Sequence, residues 1–277
     1  MELAKRHVVV TGASRGIGEA LARRFAARGA RVTLVARSGP PLAAIAAEIG
    51  GTAITADLSD DGVVDGLVAR IEREVGPIDV LVNNAGVETT LPVAVEDPRA
   101  MRTVSRVNLE VPMVLTRGVL PGMLARGGGS LVYVSSIAGT AGFPSMAPYG
   151  ATKAGILNFA AGLRRELHRS PVDVTVVAPG PVDTQMWDNV EDANASLSRM
   201  VGRFRMLGLL PKTTPERLAA RTVRAVERGR PHVRHPHRLF FNFWLNAAPN
   251  RITNIAVTGV RFDPLDGKPT SAATIDD

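Results

Sequence analysis

Arg6-His-Val-Val-Val-Thr11 runs directly into Gly12-Ala-Ser14-Arg15-Gly16-Ile17-Gly18, and these two pieces together decide the fold. The first is a short apolar run of strand character. Beyond the glycines, Ala20, Leu21, Phe25 and Ala26 recur at helical spacing, and Gly29 ends the pattern. In a unit of strand, glycine turn and helix the glycines have a mechanism. The backbone can turn sharply, and a dinucleotide's pyrophosphate can approach the helix N-terminus. The spacing is Gly-x-x-x-Gly-x-Gly, not the commoner Gly-x-Gly-x-x-Gly. Read alone, it can also be no more than tight packing.

Ala30-Arg-Val-Thr-Leu-Val-Ala36 follows as a second strand, and Arg37 stands where an acidic residue would grip an unmodified ribose. With Arg15 in the glycine turn, two guanidinium groups are expected near one ribose. They suit a 2′-phosphate through charge-assisted, fork-like contacts, which favours NADP(H).

The alternation continues outward from there. Pro41 to Gly50 reads as an Ala-rich helix and Thr52 to Ala56 as a third strand. Asp57 and Leu58 follow it, with the Asp57 carboxylate placed to receive an adenine amino group. Val63 to Val75 is helical, and Asp79 to Val82 is a strand ending in Asn83-Asn84-Ala85-Gly86, residues suited to packing under a cofactor. A long helix from about Glu96 to Leu124 carries Asn108 near its middle, with a kink expected at Pro112. Ser130 to Ser136 reads as a buried strand, Val172 to Ala178 as a sixth, and Pro179-Gly180-Pro-Val182-Asp-Thr184 turns out of it. Asp188 to Leu210 is less periodic and reads as mobile helical loops over the active site. Pro215 to Arg230 is an amphipathic helix, and His232 to His237 a short last strand. Strands alternating with helices give an α/β fold: one Rossmann-type, doubly wound parallel sheet of about seven strands with helices on both faces.

Tyr149-Gly-Ala-Thr-Lys153 sets a tyrosine and a lysine on one face of a helix, one turn apart. A phenol with an ordinary pKa near 10 is a poor acid-base catalyst at neutrality. A nearby cation favours the phenolate and brings that value down. Ser136, at the expected strand end, offers a hydroxyl to a substrate oxygen.

Composition narrows the chemistry. There is no cysteine, hence no disulfide, thiolate nucleophile or cysteine-ligated metal. His232, His235 and His237 lie close together, but Pro236 and the lack of a nearby carboxylate argue against a metal site. The first strand starts so near Met1 that no signal peptide is expected, and the expected location is cytoplasmic. The longest uncharged run, 127–152, is broken by glycine, proline and serine and is read as strand, loop and helix start. From Arg199 onward fourteen Lys/Arg face six Asp/Glu, so all the excess positive charge sits in the last third. That region suits an anionic substrate or surface, or is simply an arginine-rich solvated face; no nucleic-acid motif accompanies it.

With the glycine turn, Asn83-Asn-Ala-Gly86, Asn108, Ser136, Tyr149, Lys153 and Pro-Gly-x-Val-x-Thr in this order, the chain resembles the short-chain dehydrogenase/reductase family over about residues 5 to 235. The resemblance implies hydride transfer between a nicotinamide and a carbonyl or secondary alcohol. It implies Tyr149 as general acid in reduction, Lys153 as the cation lowering its pKa and holding the ribose, and Ser136 as polariser of the substrate oxygen. Asn108 would hold a water in a proton relay, and Val182 and Thr184 would touch the carboxamide. Cofactor contacts are implied at Gly12, Ser14, Arg15, Gly16, Ile17, Gly18, Arg37, Asp57, Leu58, Asn84, Ala85, Gly86, Tyr149, Lys153, Pro179, Gly180, Val182 and Thr184. A homodimer or homotetramer is implied as well.

The expected catalytic domain covers 1–237. The extension 238–277 concentrates aromatics in Arg238-Leu-Phe-Phe-Asn-Phe-Trp-Leu245. Three readings compete: cover for a subunit interface or the core, lid over an apolar substrate, or amphipathic anchor on a membrane surface. A ketone reductase acting on an apolar small molecule leads the functions, with Phe143, Met146, Met186 and Trp187 expected around the substrate. Oxidation of a steroid- or lipid-like alcohol is the alternative within the class. A non-catalytic dinucleotide sensor is the alternative outside it, against which Tyr149 and Lys153 count.

Overall fold

The computed structural model describes residues 1–192, 195–206 and 212–235. Seven strands form one sheet: β1 (His7–Thr11), β2 (Arg31–Ala36), β3 (Thr52–Thr55), β4 (Val80–Asn83), β5 (Gly129–Val134), β6 (Val172–Pro179) and β7 (His232–His235). Their spatial order is β3-β2-β1-β4-β5-β6-β7, and every neighbouring pair is parallel. Parallel neighbours need crossovers. These are built from α1 (Gly16–Ala26), α2 (Gly39–Ile49), α3 (Asp61–Glu74), α4 (Pro98–Ser105), α5 (Val111–Ala125), α6 (Ala147–Glu166), α7 (Gln185–Asp192), α8 (Ala195–Met206) and α9 (Pro215–Glu227). The expected doubly wound parallel sheet is what the chain forms.

Successive strand residues point to opposite faces, and both faces are apolar. Val8, Val10, Val80, Val82, Val132 and Val134 meet Leu21 and Phe25 of α1, Leu42 of α2 and Leu218, Val223 and Val226 of α9. Val9, Leu81, Leu131 and Tyr133 meet Leu67 and Ile71 of α3, Leu115 of α5 and Ile156 and Leu163 of α6. The central strands β1, β4 and β5 therefore feed two cores. Two fully buried polar groups within them are paired: the Tyr133 hydroxyl with Thr116 at 2.7 Å, and His7 Nε2 with Thr33 Oγ1 at 2.8 Å, whereas Ser130 Oγ of β5 is buried without a hydrogen-bond partner among the described residues.

The chain leaves β1 on one side for β2 and β3, then returns to β4 on the other. The crevice above the carboxyl ends of β1 and β4 is thus a topological switch point, where open α/β sheets bind ligands. The segments beyond those two ends are Gly12–Gly18 and Asn84–Gly86.

Three local expectations need correction. The long helix is interrupted by a π turn, Arg106–Glu110, centred on Asn108. Pro112 has no N–H to give the Asn108 carbonyl four residues back, and the helical ladder changes register just before it. β5 ends at Val134 and not at Ser136. Ser136 instead caps a 3₁₀ turn, Ile137–Gly139, with its side chain accepting the Ala138 N–H at 3.1 Å. Between 185 and 206 the chain forms two regular helices where helical loops were expected. His237 and the extension 238–277 lie outside the described residues. Among the described residues no helix is long and apolar enough to cross a membrane, and no group of three metal-ligating side chains gathers.

Candidate active site

The glycine turn is shaped first by its own packing. A β-carbon on Gly18 would lie 2.1 Å from the Gly12 carbonyl oxygen, and one on Gly12 would lie 2.8 Å from Ala85 Cα. Gly12 and Gly16 also hold φ of 66° and 58°, in the left-handed region. Asn84 stitches the turn to β4: its Nδ2 donates to the Thr11 carbonyl at 2.9 Å and the Gly12 carbonyl at 3.3 Å. Thr11 Oγ1 accepts the N–H of both Asn84 and Ala85 at 3.0 Å, a bracing role the sequence reading did not assign. α1 then starts at Gly16 from an extended Arg15 with no side-chain cap. Its first-turn N–H groups lack intrahelical acceptors, and the helix dipole adds partial positive charge there. Such an end fits a dinucleotide's pyrophosphate. Ser14 and Ile17 are partly exposed in the same turn.

At the end of β2, Arg37 is exposed and its charge acts on Asp57. The Asp57 carboxylate accepts the Ser59 N–H at 2.9 Å and Ser59 Oγ at 2.8 Å. Those bonds, with Arg37 adding less, hold it below the ordinary carboxylate range. Leu58 beside it is buried. Arg15 does not turn to the same place: its Nη1 donates to Gln185 Oε1 on α7 at 2.6 Å. The paired guanidinium fork expected from the sequence is therefore not assembled, because Arg15 has found an amide partner across the cleft.

Tyr149 and Lys153 are both buried on α6, and Lys153 Nζ lies 5.5 Å from the tyrosine ring centre. Nζ donates to the Val134 carbonyl at 3.2 Å. A β-carbon on Gly86 would sit 3.4 Å from Nζ and 3.2 Å from Asn108 Oδ1, so a side chain there would press on the Asn108 amide. Ser135 Oγ donates to the Lys153 carbonyl at 2.8 Å, locking the segment after β5 onto α6. Ser136 comes next in the chain, near enough for its side chain to act on the Tyr149 hydroxyl.

Burial pushes the Tyr149 phenol up to about 12; the Ser136 bond pulls the other way, and the Glu88 charge raises it further. Burial lowers Lys153 to about 8. The expectation that Lys153 brings the tyrosine down toward neutrality is not met, since desolvation disfavours phenolate and ammonium alike.

Asn108 is committed to structure through its side chain. Oδ1 accepts the Val87 N–H and Nδ2 donates to the Val87 carbonyl, both at 2.9 Å, with a third bond to Thr152 Oγ1 at 3.2 Å. Thr152 Oγ1 donates to the Tyr149 carbonyl at 2.7 Å. That leaves the side chain no spare donor for the expected water, and Pro112 offers the Asn108 main-chain carbonyl no N–H.

Pro179 ends β6, Gly180 follows it, and buried Val182 bridges to Thr213. Thr184 reaches the glycine turn: its Cγ2 would be 3.2 Å from a β-carbon on Gly16. Phe143 packs with Ile137 and Ala178, Met146 directly precedes α6, and Met186 and Trp187 lie on α7. Sequence reasoning missed Glu88 and Asn189, which bond across the cleft at 2.9 Å. Nothing in their residue types or spacing singles them out.

Comparison with known proteins agrees with this construction. The ketoacyl reductase HetN of Nostoc sp. is 34% identical over 230 residues, covering 81% of this chain and 76% of HetN. A crystal structure of actinorhodin polyketide ketoreductase with NADPH superposes with a TM-score of 0.75 at 29% identity, covering 83% of this chain and 95% of that one. A Burkholderia phymatum short-chain dehydrogenase/reductase in complex with NAD shares the fold at a TM-score of 0.77 and 22% identity, covering 97% and 99%. The profile of the short chain dehydrogenases matches residues 6–195, a span holding the glycine turn, Asn108, Ser136, Tyr149 and Lys153, and the chain belongs to that family.

Proposed function

We propose that this chain is an NADP(H)-dependent ketone reductase. The observation that carries the reading is the meeting of buried Tyr149 and Lys153 with half-buried Ser136, at the sheet end where α1 presents its uncapped N-terminus. The bound dinucleotide would supply the hydride. Tyr149 would deliver the proton to the substrate oxygen, and Ser136, whose side chain acts on the phenol, would polarise that oxygen. Lys153 would reach the nicotinamide ribose, with Gly86 leaving room beside its Nζ. Exposed Arg37 at the end of β2, where no carboxylate stands to accept a ribose hydroxyl, supports NADP(H) over NAD(H). The NADPH held by the actinorhodin ketoreductase and the name of HetN support reduction of a ketone. Assembly as a homodimer or homotetramer through the helices bearing Asn108 and Tyr149 belongs to the same proposal.

Fluorescence titration with NADPH and NADH, followed by a ketone screen with the tighter cofactor, tests it. Tight NADPH binding with ketone-dependent NADPH oxidation is expected. Preference for NADH, or no ketone turned over, would overturn it.

A further inference from the structure

Glu88 lies two residues beyond Gly86, whose β-carbon position is only 3.4 Å from Lys153 Nζ. Val87 between them is held at both its N–H and its carbonyl by Asn108, so the backbone that aims Glu88 is fixed. Glu88 is half-buried, and its Oε1 accepts from Asn189 Nδ2 of α7 at 2.9 Å. Asn189 stands one helical turn beyond Gln185, which is bonded to Arg15 of the glycine turn. One face of α7 is therefore tied at one point to the dinucleotide turn and at the other to Glu88. Farther along the same loop Leu91, Val93 and Val95 are exposed and apolar, followed by Glu96, which accepts the Leu91 N–H at 3.3 Å.

We propose that Glu88 is the specificity-determining carboxylate of the substrate site, favouring ketones that carry a hydroxyl or amine donor and rejecting ketones that carry a carboxylate near the carbonyl. The inference rests on the ketone-reductase reading. A donor can pair with Oε2, which has no partner among the described residues, or take the place of Asn189. A second carboxylate would meet a like charge with no arginine or lysine bonded to Glu88 among the described residues. The phenol already feels that charge, which raises Tyr149 against the pull of its Ser136 bond, with Lys153 as the cation facing the same ring.

The probes are 4-oxo-4-phenylbutanoate and its neutral amide, bound to NADPH-loaded wild-type and Glu88→Gln protein and measured by calorimetry. Glutamine keeps an acceptor for Asn189 while removing the charge. The wild type is expected to favour the amide, and Glu88→Gln to tighten the acid about tenfold while changing the amide less than twofold. The same acid-to-amide ratio in both proteins, or no binding of either probe to either protein, overturns the proposal. So does an Asn189→Ala variant that shifts the ratio as far as Glu88→Gln, since that would assign the effect to the α7 tie. Turnover is read separately: the expected ratio without NADPH oxidation would sink the reductase reading and leave the selectivity of Glu88 standing.

Discussion

Lys153 Nζ sits 5.5 Å from the centre of the Tyr149 ring, and burial works against the charged form of both. The fold thus holds an ammonium where it is poorly solvated. With its pKa lowered from 10.5 to about 8, folding at neutral pH costs about 3 kcal/mol at this residue, and stability is regained as pH rises from about 8 through 10.5. Lys153→Met should therefore raise the melting temperature of the dinucleotide-free protein at pH 7, by an amount that shrinks toward pH 10, while losing at least a hundredfold in turnover. Thermal melts at the two pH values check this. A variant less stable than wild type at pH 7 would show that the Val134 bond outweighs desolvation.

Gly18→Ala places a β-carbon 2.1 Å from the Gly12 carbonyl oxygen and 2.6 Å from Asn84 Nδ2. The turn must open, at a cost of about 1–3 kcal/mol for overpacking, and dinucleotide affinity should fall at least tenfold. Gly66→Ala on the exposed face of α3 is the counterpart, with nothing within 4 Å of the new carbon. It should stabilise the protein by about 1 kcal/mol through helix propensity. Chemical denaturation of both variants with cofactor titration separates the two effects.

The sheet was legible because strand and helix periodicities alternate along the chain, and because Val8-Val9-Val10 and Val80-Leu81-Val82 are apolar at every position, as two-sided burial requires. The site was legible as residue types at ordered spacings. Its geometry was less so. Pro112 announced a break in the long helix but not the π turn around Asn108. Ser136 looked like a strand end because nothing in Ser135-Ser136 shows which serine leaves the ladder. The upward shift of Tyr149 depends on burial by other segments, which spacing cannot report. Glu88, Asn189 and the turn of Arg15 toward Gln185 are long-range pairings between polar residues, and polar residues in loops carry no periodic signal.

Arg37→Asp should invert cofactor preference. A carboxylate at the end of β2 accepts a ribose hydroxyl and repels a 2′-phosphate. NADPH affinity is expected to drop at least tenfold while NADH affinity rises, measured by parallel titrations. Unchanged NADPH binding would place the phosphate elsewhere, with Arg15 as the next residue to test.

His7 supplies a pH dependence remote from the site. Burial lowers its pKa, and its ring is bonded to Thr33 Oγ1 at 2.8 Å and the Gly76 carbonyl at 2.9 Å. The unfolded chain takes up a proton near pH 6.5 that the folded chain resists, so stability should be present above that pH and be lost as pH falls below it. Melting temperatures between pH 8 and 5.5 should decline in the wild type, and decline less steeply in His7→Gln from a lower starting value.

The most direct test of the central claim is NADPH oxidation followed at 340 nm with a panel of apolar ketones, using wild-type and Tyr149→Phe protein. The phenylalanine variant keeps the ring and loses the proton that must reach the substrate oxygen. Ketone-dependent oxidation by the wild type, at least a thousandfold slower in Tyr149→Phe with NADPH binding intact, is the predicted result. Comparable rates from the two proteins would contradict the account.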